Sequence, residues 1–354
     1  MEHDARHNDS AVSPETRVLD RLQRHIPLVP QPYRAIAEDF GLAEDDVLRH
    51  VQALKDRRLL RQLAAIFDAA ALGYRSSLVA ARYDPAAIDE AAALVSSHPG
   101  VSHNYQRDHD FNLWYTIAVP PGHSLEETTD RLHRLSSAQS TRLLPTLRRF
   151  KLGVRLDVAG DRAAAAREST DEPESSGGPS APLTERDIRA VRALQDDLPV
   201  TSRPFDALAE RESFDSVEEL LDTAEDLRRR GAMRRFSGVV RHREAGFSAN
   251  GMAVWVVEEG ECERLGPIMA GFASVSHCYQ RPTYPDWPYS LFTMIHGRSA
   301  GDVQECIDAI REATGLDEYS VLYSTVEYKK RRVRYFTGAW DEWDRQHAPE
   351  VTRT

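Results

Sequence analysis

Near the N-terminus apolar positions recur at helical spacing in PETRVLDRLQRHI, QPYRAIAEDFGL and AEDDVLRHVQALKDRRLL, with Pro and Gly punctuating the gaps. The spacing predicts three short helices. The string RQLAAIF that follows predicts a short ribbon, and together these read as a winged helix-turn-helix. Beyond it the pattern predicts a strand (72–83), a helix (85–97), two strands (100–108 and 111–119), a helix (124–137) and a strand (144–155). This β-α-β-β-α-β order predicts a ferredoxin-like αβ domain. The same succession of elements returns from about 184 to 336.

The return is also visible residue by residue. IPLVPQPYRAIAEDFGL (26–42) aligns with LPVTSRPFDALAERESF (198–214), and ALKDRRLLRQLAAIFDAAALGY (53–74) with DLRRRGAMRRFSGVVRHREAGF (226–247). VSHNYQR (101–107) aligns with VSHCYQR (275–281), and NLWYTI (112–117) with YSLFTM (289–294). LPTLRRFKLGVRL (144–156) meets YSTVEYKKRRVRY (323–335). Shared order and spacing imply a tandem duplication. Its predicted class is α+β, with helix-turn-helix regions at 14–70 and 184–245 and ferredoxin-like domains at 71–157 and 246–336. The segment 158–183, rich in Ala, Ser, Gly, Pro and acid, suits a flexible linker. The tail, 337–354, reads as a surface extension that Trp340 and Trp343 are able to dock.

Composition narrows the class. With 354 residues, 41% hydrophobic and 29% charged, the chain suits a globular protein with more than one core. No apolar run approaches the length of a membrane span, and MEHDARHNDS lacks the pattern of a secretion signal, so a cytoplasmic location is expected. Cys262, Cys278 and Cys306 are too scattered for a disulfide framework or a metal site and read as reduced thiols. A net charge of -11 argues against a general nucleic-acid binder.

The helix-turn-helix regions sharpen that point. The first recognition-type helix opens with Glu44, Asp45 and Asp46, and its counterpart carries Glu218, Glu219, Asp222, Glu225 and Asp226. Base readout relies on Arg, Lys, Asn or Gln, and acid there faces phosphate. Packing and dimerisation are therefore the preferred role. Arg57, Arg58, Arg228, Arg229 and Arg230 keep a DNA-binding regulator as the alternative.

The repeated heptapeptide carries the chemistry. On a strand, His103, Tyr105 and Arg107 share one face, as do His277, Tyr279 and Arg281, while the differing Asn104 and Cys278 lie on the other. Imidazole can ligate a metal or move a proton near neutral pH, guanidinium holds carboxylates, and Tyr supplies a hydroxyl on an apolar ring. A face bearing all three suits a flat anionic ligand, although a duplicated structural trio would recur as well. The last strand of each half adds Lys151, Lys330, Arg332 and Arg334 as a cradle for a polyanion, with a solvated edge strand as the plainer reading. In PTYPDWPYSLF, Pro282, Pro285 and Pro288 stiffen a loop bearing Tyr284 and Trp287, either a lid over a ring system or a buried hairpin cap. His109 and His296 read as structural or exposed.

VSHNYQRDHDFNLWYT, VSHCYQRPTYPDWPYSLFTMIHG, LPTLRRFKLGVRLD and STVEYKKRRVRYF resemble the siroheme decarboxylase branch of the Lrp/AsnC architecture. The first half resembles the AhbA or NirD type of subunit and the second the AhbB or NirL type. The resemblance implies two tandem Lrp/AsnC-like units and removal of CO2 from two acetate side chains of siroheme, giving 12,18-didecarboxysiroheme for heme d1 or an alternative heme route. It implies siroheme as the partner, no cofactor beyond the substrate's iron, and a pseudo-dimer within one chain that is able to form homo-oligomers. It also implies His103, His277, Tyr105 and Tyr279 as catalytic groups, with His277 a candidate axial ligand to the substrate iron. Arg107, Arg281, Tyr284, Trp287, Lys151, Lys330, Arg332 and Arg334 would then bind substrate.

Overall fold

The computed structural model describes residues 13–152, 182–240 and 249–348. They form two compact units, and each unit draws on both copies of the duplication.

The first unit takes the described residues up to Leu72 and those from 182 to 240. Its first copy contains α1 (Pro14–Arg24), α2 (Pro32–Phe40), α3 (Glu44–Asp56) and β1 (Leu60–Phe67). Its second contains α6 (Glu185–Leu194), α7 (Pro204–Arg211), α8 (Val217–Arg229) and β7 (Met233–Val240). Local signals set the helix ends. Ser13 caps α1 by accepting from Thr16 N at 3.2 Å, Thr184 and Asp187 form a capping box on α6, and Gly41 closes α2 at φ 65°.

The predicted ribbon is not completed within either copy. β1 pairs antiparallel with β7, Leu63 facing Gly238, so each copy supplies the other's missing strand. Leu60, Leu63 and Phe236 are buried along this pair. The Tyr33 hydroxyl donates to Pro199 O at 3.0 Å, and Lys55 meets Asp197 at 2.8 Å, tying the copies further. Of the basic residues named near the recognition-type helices, Arg57 pairs with Glu15, Arg228 with Glu225, Arg229 with Asp226, and Arg230 with both Asp187 and Asp226, while Arg58 is exposed and forms no ion pair among the described residues.

The second unit takes residues 73–152 and 249–348. Its first half runs β2 (Arg75–Arg82), α4 (Ile88–Ser97), β3 (Val101–Arg107), β4 (Leu113–Val119), α5 (Leu125–Leu135), β5 (Ser140–Leu144) and β6 (Arg148–Leu152). Its second half runs β8 (Ala249–Trp255), α9 (Cys262–Ala270), β9 (Val275–Gln280), β10 (Leu291–Gly297), α10 (Ala300–Thr314) and β11 (Tyr319–Lys330), followed by α11 (Ala339–Gln346). One nine-stranded sheet joins them in the order β5-β2-β4-β3-β11-β8-β10-β9-β6.

The halves exchange their last strands. β11 pairs with β8 through Tyr319–Tyr323 and then with β3 as far as Lys330. In the first half the equivalent chain is split: β5 pairs with β2, and β6 pairs with β9. The single strand expected at 144–155 is thus two strands beginning at Ser140, with Pro145, which has no N–H to give a ladder, in the break. Residues 153–155 and most of the expected linker lie outside the described residues.

Three apolar layers result. α4 and α5 cover the first half's outer sheet face around Val79, Ile117 and Leu132. α9 and α10 cover the second's around Trp255, Leu265 and Ile307. A middle layer contains Phe111, Trp114, Leu144, Trp287, Phe292 and Leu322, drawn from both halves. The tail docks on the first half, where Trp343 Nε1 donates to Ser97 Oγ at 2.9 Å and Asp344 pairs with Arg131. No helix among the described residues is long and apolar enough to cross a membrane.

Candidate active site

Strand parity divides the heptapeptides as the alternation predicts. Asn104 is fully buried on the outer face, its Nδ2 donating to Ala92 O at 3.1 Å and Ser96 Oγ at 3.0 Å of α4. Cys278 is equally buried against α9, its Sγ 3.6 Å from Gly266 O, and burial pushes the thiol up to about 12. The difference between the two copies is therefore an answer to the helix behind each strand. His103, Tyr105 and Arg107, with His277, Tyr279 and Arg281, occupy the opposite, inner face. The His–Tyr ring centroids lie 6.2 Å apart in one copy and 6.0 Å in the other.

The two arginines each bridge to a backbone carbonyl of the other half. Arg107 Nη1 donates to Leu322 O at 2.9 Å, and Arg281 Nη1 donates to Leu144 O. Arg107 lies over Trp114, and Arg281 over Tyr279 and Phe292. Burial lowers both to about 10, so both stay charged at neutral pH. Neither forms an ion pair among the described residues, and the buried Nε of each lacks a hydrogen-bond partner. A desolvated cation without a counter-charge is costly, so this inner layer is electrostatically suited to an anion.

Because the strands are exchanged, each histidine is flanked by the other half. Lys330 stands opposite His103 and Glu327 opposite Tyr105. Leu152 stands opposite His277 and Arg149 opposite Tyr279. Burial lowers the His103 pKa and Lys330 lowers it further; burial takes His277 down to about 4. Both rings are neutral near pH 7. Burial first, then Glu327, raises the Tyr105 phenol to about 12. Each imidazole is held from behind by the preceding serine: His103 Nδ1 is 2.9 Å from Ser102 Oγ, and His277 Nδ1 is 2.7 Å from Ser276 Oγ. Period-2 spacing puts those serines on the opposite face, and a bulge after Val101 in β3 departs from that spacing.

Several expected substrate groups serve the fold instead. Lys151 lies opposite Cys278, and its Nζ donates to Phe272 O at 2.8 Å beyond the end of α9. Its structural counterpart is Lys329, opposite Asn104, which donates to Ser96 O at 2.6 Å and His98 O at 3.1 Å. The sequence pairing of Lys151 with Lys330 is thus one residue out of register. Arg332 and Arg334 follow the end of β11, so strand alternation does not group them with Lys330; both are exposed. Trp287 is fully buried against Phe111, Trp114 and Tyr289, with centroids at 5.5, 5.2 and 4.8 Å. It is core rather than lid. The Tyr284 hydroxyl donates to Leu143 O at 2.6 Å, and Arg142 grips Asp286 through two bonds of 2.8 and 2.7 Å. The Pro-aromatic loop therefore caps the junction between the halves.

Paired helix-turn-helix copies and a shared αβ sheet define a tandem protein of Lrp/AsnC type. An AsnC-like ligand binding domain matches residues 71–151 and 244–329, and a siroheme decarboxylase NirDL-like HTH domain matches 15–61 and 187–234. The siroheme decarboxylase of Hydrogenobacter thermophilus is 39% identical over 92% of this chain and 96% of its own. The siroheme decarboxylase NirDL subunit of Paracoccus denitrificans is 31% identical over 90% and 95%. The crystal structure of the siroheme decarboxylase NirDL with an iron-uroporphyrin III analogue superposes with a TM-score of 0.75 at 35% identity, covering 94% of this chain and 97% of that one. The chain belongs to the siroheme decarboxylase family.

Proposed function

We propose that this protein is a carboxy-lyase that removes CO2 from two acetate side chains of siroheme, giving 12,18-didecarboxysiroheme for heme d1 synthesis or an alternative heme route. The observation that carries this reading, beside family membership, is the pair of buried guanidinium groups without an ion-paired carboxylate among the described residues, each on a strand face shared with a tyrosine two residues away and a neutral histidine four residues away. Siroheme is a flat iron macrocycle ringed by carboxylates, which would give each cation the ion pair it does not form among the described residues; for Arg107 the nearby Asp108 offsets only part of the burial cost. The chain's NirDL relative has been crystallised with an iron-uroporphyrin III analogue.

Each turnover converts R–CH2–CO2⁻ and one proton into R–CH3 and CO2. The free Nε–H groups of Arg107 and Arg281, with Lys330, would hold peripheral carboxylates, while Tyr105 and Tyr279 orient the ring. His103 and His277 would supply the proton or a nitrogen to the substrate's iron, with His277 the preferred axial ligand. The balanced reaction consumes only a proton, so the proposal needs no cofactor beyond the iron that arrives with the substrate. A cytoplasmic location and further assembly of the pseudo-dimer into homo-oligomers belong to the same proposal.

The test is anaerobic incubation with siroheme followed by mass spectrometry. Two successive losses of CO2 are expected. Siroheme recovered with every carboxylate intact would make the protein a tetrapyrrole carrier. A regulator would instead show specific nanomolar operator binding without CO2 release; the acid-paired arginines of the first unit speak against it.

A further inference from the structure

His296, set aside in the sequence as structural or exposed, lies on β10 two residues past Met294, which faces His277. In the first half Thr116 faces His103, so the equivalent of His296 is Ala118. This makes the two inner faces chemically unequal. Behind His277 runs a chain of three short contacts: His277 Nδ1 to Ser276 Oγ at 2.7 Å, Ser276 Oγ to His296 Nε2 at 2.6 Å, and His296 Nδ1 to Asn250 Oδ1 at 2.6 Å. Behind His103 the chain stops at Ser102, whose Oγ reaches, among the described residues, only Thr116 O at 3.5 Å beyond the imidazole.

Donor and acceptor chemistry orders the longer chain. An amide oxygen only accepts, so Nδ1 of neutral His296 carries the hydrogen and its Nε2 accepts from the Ser276 hydroxyl. The serine oxygen then accepts from His277 Nδ1–H. Nε2 of His277 is left bare on the inner strand face, in a fixed ring orientation. Met294 O, 3.3 Å from Ser276 Oγ, is a longer alternative acceptor and corresponds to the weak contact in the first half.

We infer that His296 is a positioning residue of the second-half site: with Asn250 and Ser276 it selects the tautomer and orientation of His277, a device the first half lacks. The inference rests on the decarboxylase reading, and one of its measurements needs no turnover.

Isotope-edited NMR of the histidine ring nitrogens in the full chain should find His277 protonated at Nδ1, and His296→Ala should convert it to a tautomer mixture. With siroheme as substrate, His296→Ala should lower kcat about tenfold with KM little changed, as for other orienting partners of functional histidines. His296→Gln, whose side-chain oxygen can still accept from Ser276, should recover most of the loss. Asn250→Ala, at an exposed position, should give an intermediate tautomer population and keeps the test open should His296→Ala fail to fold. An unchanged His277 tautomer in both Ala variants would overturn the inference, as would full kcat in His296→Ala. A wild-type chain that leaves siroheme intact would instead sink the decarboxylase reading and leave the tautomer result standing.

Discussion

The two inner strand faces carry the same His, Tyr and Arg, yet their surroundings have opposite character. Around the first trio, Lys330 faces His103 and Glu327 faces Tyr105. Around the second, Leu152 faces His277 and Arg149 faces Tyr279. The neighbours come in each case from the other half, through the exchanged last strand. A duplicated segment can therefore keep its own residues fixed and still diverge in chemistry, because half of each site is written elsewhere in the chain.

The largest effect that would break this comparison concerns the shared middle layer. Trp287→Ala should destabilise the second unit by about 3–5 kcal/mol, read by denaturant unfolding, and both halves should lose structure together. Two separated transitions within that unit would show that the halves fold independently. Next in size is the contrast between the histidines. His277→Ala should cut kcat about a hundredfold, with His103→Ala having the smaller effect; full activity in both variants would refute their catalytic role. Replacing either buried guanidinium comes third. Arg107→Met should weaken siroheme binding about tenfold in a titration, while the melting temperature shifts by only a few degrees, because an uncompensated buried charge leaves with it.

The smallest effect separates the halves by pH. His98 is buried between Trp340 and Trp343, accepts from Gly100 N at 3.1 Å, and is lowered to about 3 by burial and then by Lys329. Phe272 holds the matching place in the second half, since each lies three residues before the first valine of its strand and receives that valine's N–H. The folded form prefers neutral His98, so the unfolded chain binds the extra proton. Stability from this group is full above the ordinary histidine value of 6.5 and is lost as pH falls from there towards 3. Hydrogen exchange should loosen α11 and α4 in that window before α9; simultaneous loosening would remove the distinction.

Local patterns made much of the fold legible. Helical spacing, the β-α-β-β-α-β order and the two-faced heptapeptides all rest on near neighbours, and the structure follows them. The strand exchange was not legible, because β6 with β9 and β11 with β3 are non-local pairings that leave no period in the sequence. The same gap explains Lys151, whose register depends on the break at Pro145 and on where β6 lands against Cys278. Trp287 misled for another reason: an aromatic among prolines suits a lid or a plug equally, and only the facing Phe111 and Trp114 decide. His296 carried no motif at all. Its one signal was a polar residue where the other copy is apolar, Val119 in the sequence alignment and Ala118 in the strand register.

The tail has a consequence for synthesis on the ribosome. β3 gains its second neighbour only when β11 has emerged, and α4 is covered only when Trp343 of α11 arrives. The first half is translated early but finished late. Until then it presents an open strand edge and an uncovered apolar surface, a window in which a nascent chain is open to mispairing with a neighbour on the same messenger. The order of translation thus makes the earlier half of the molecule the later one to mature.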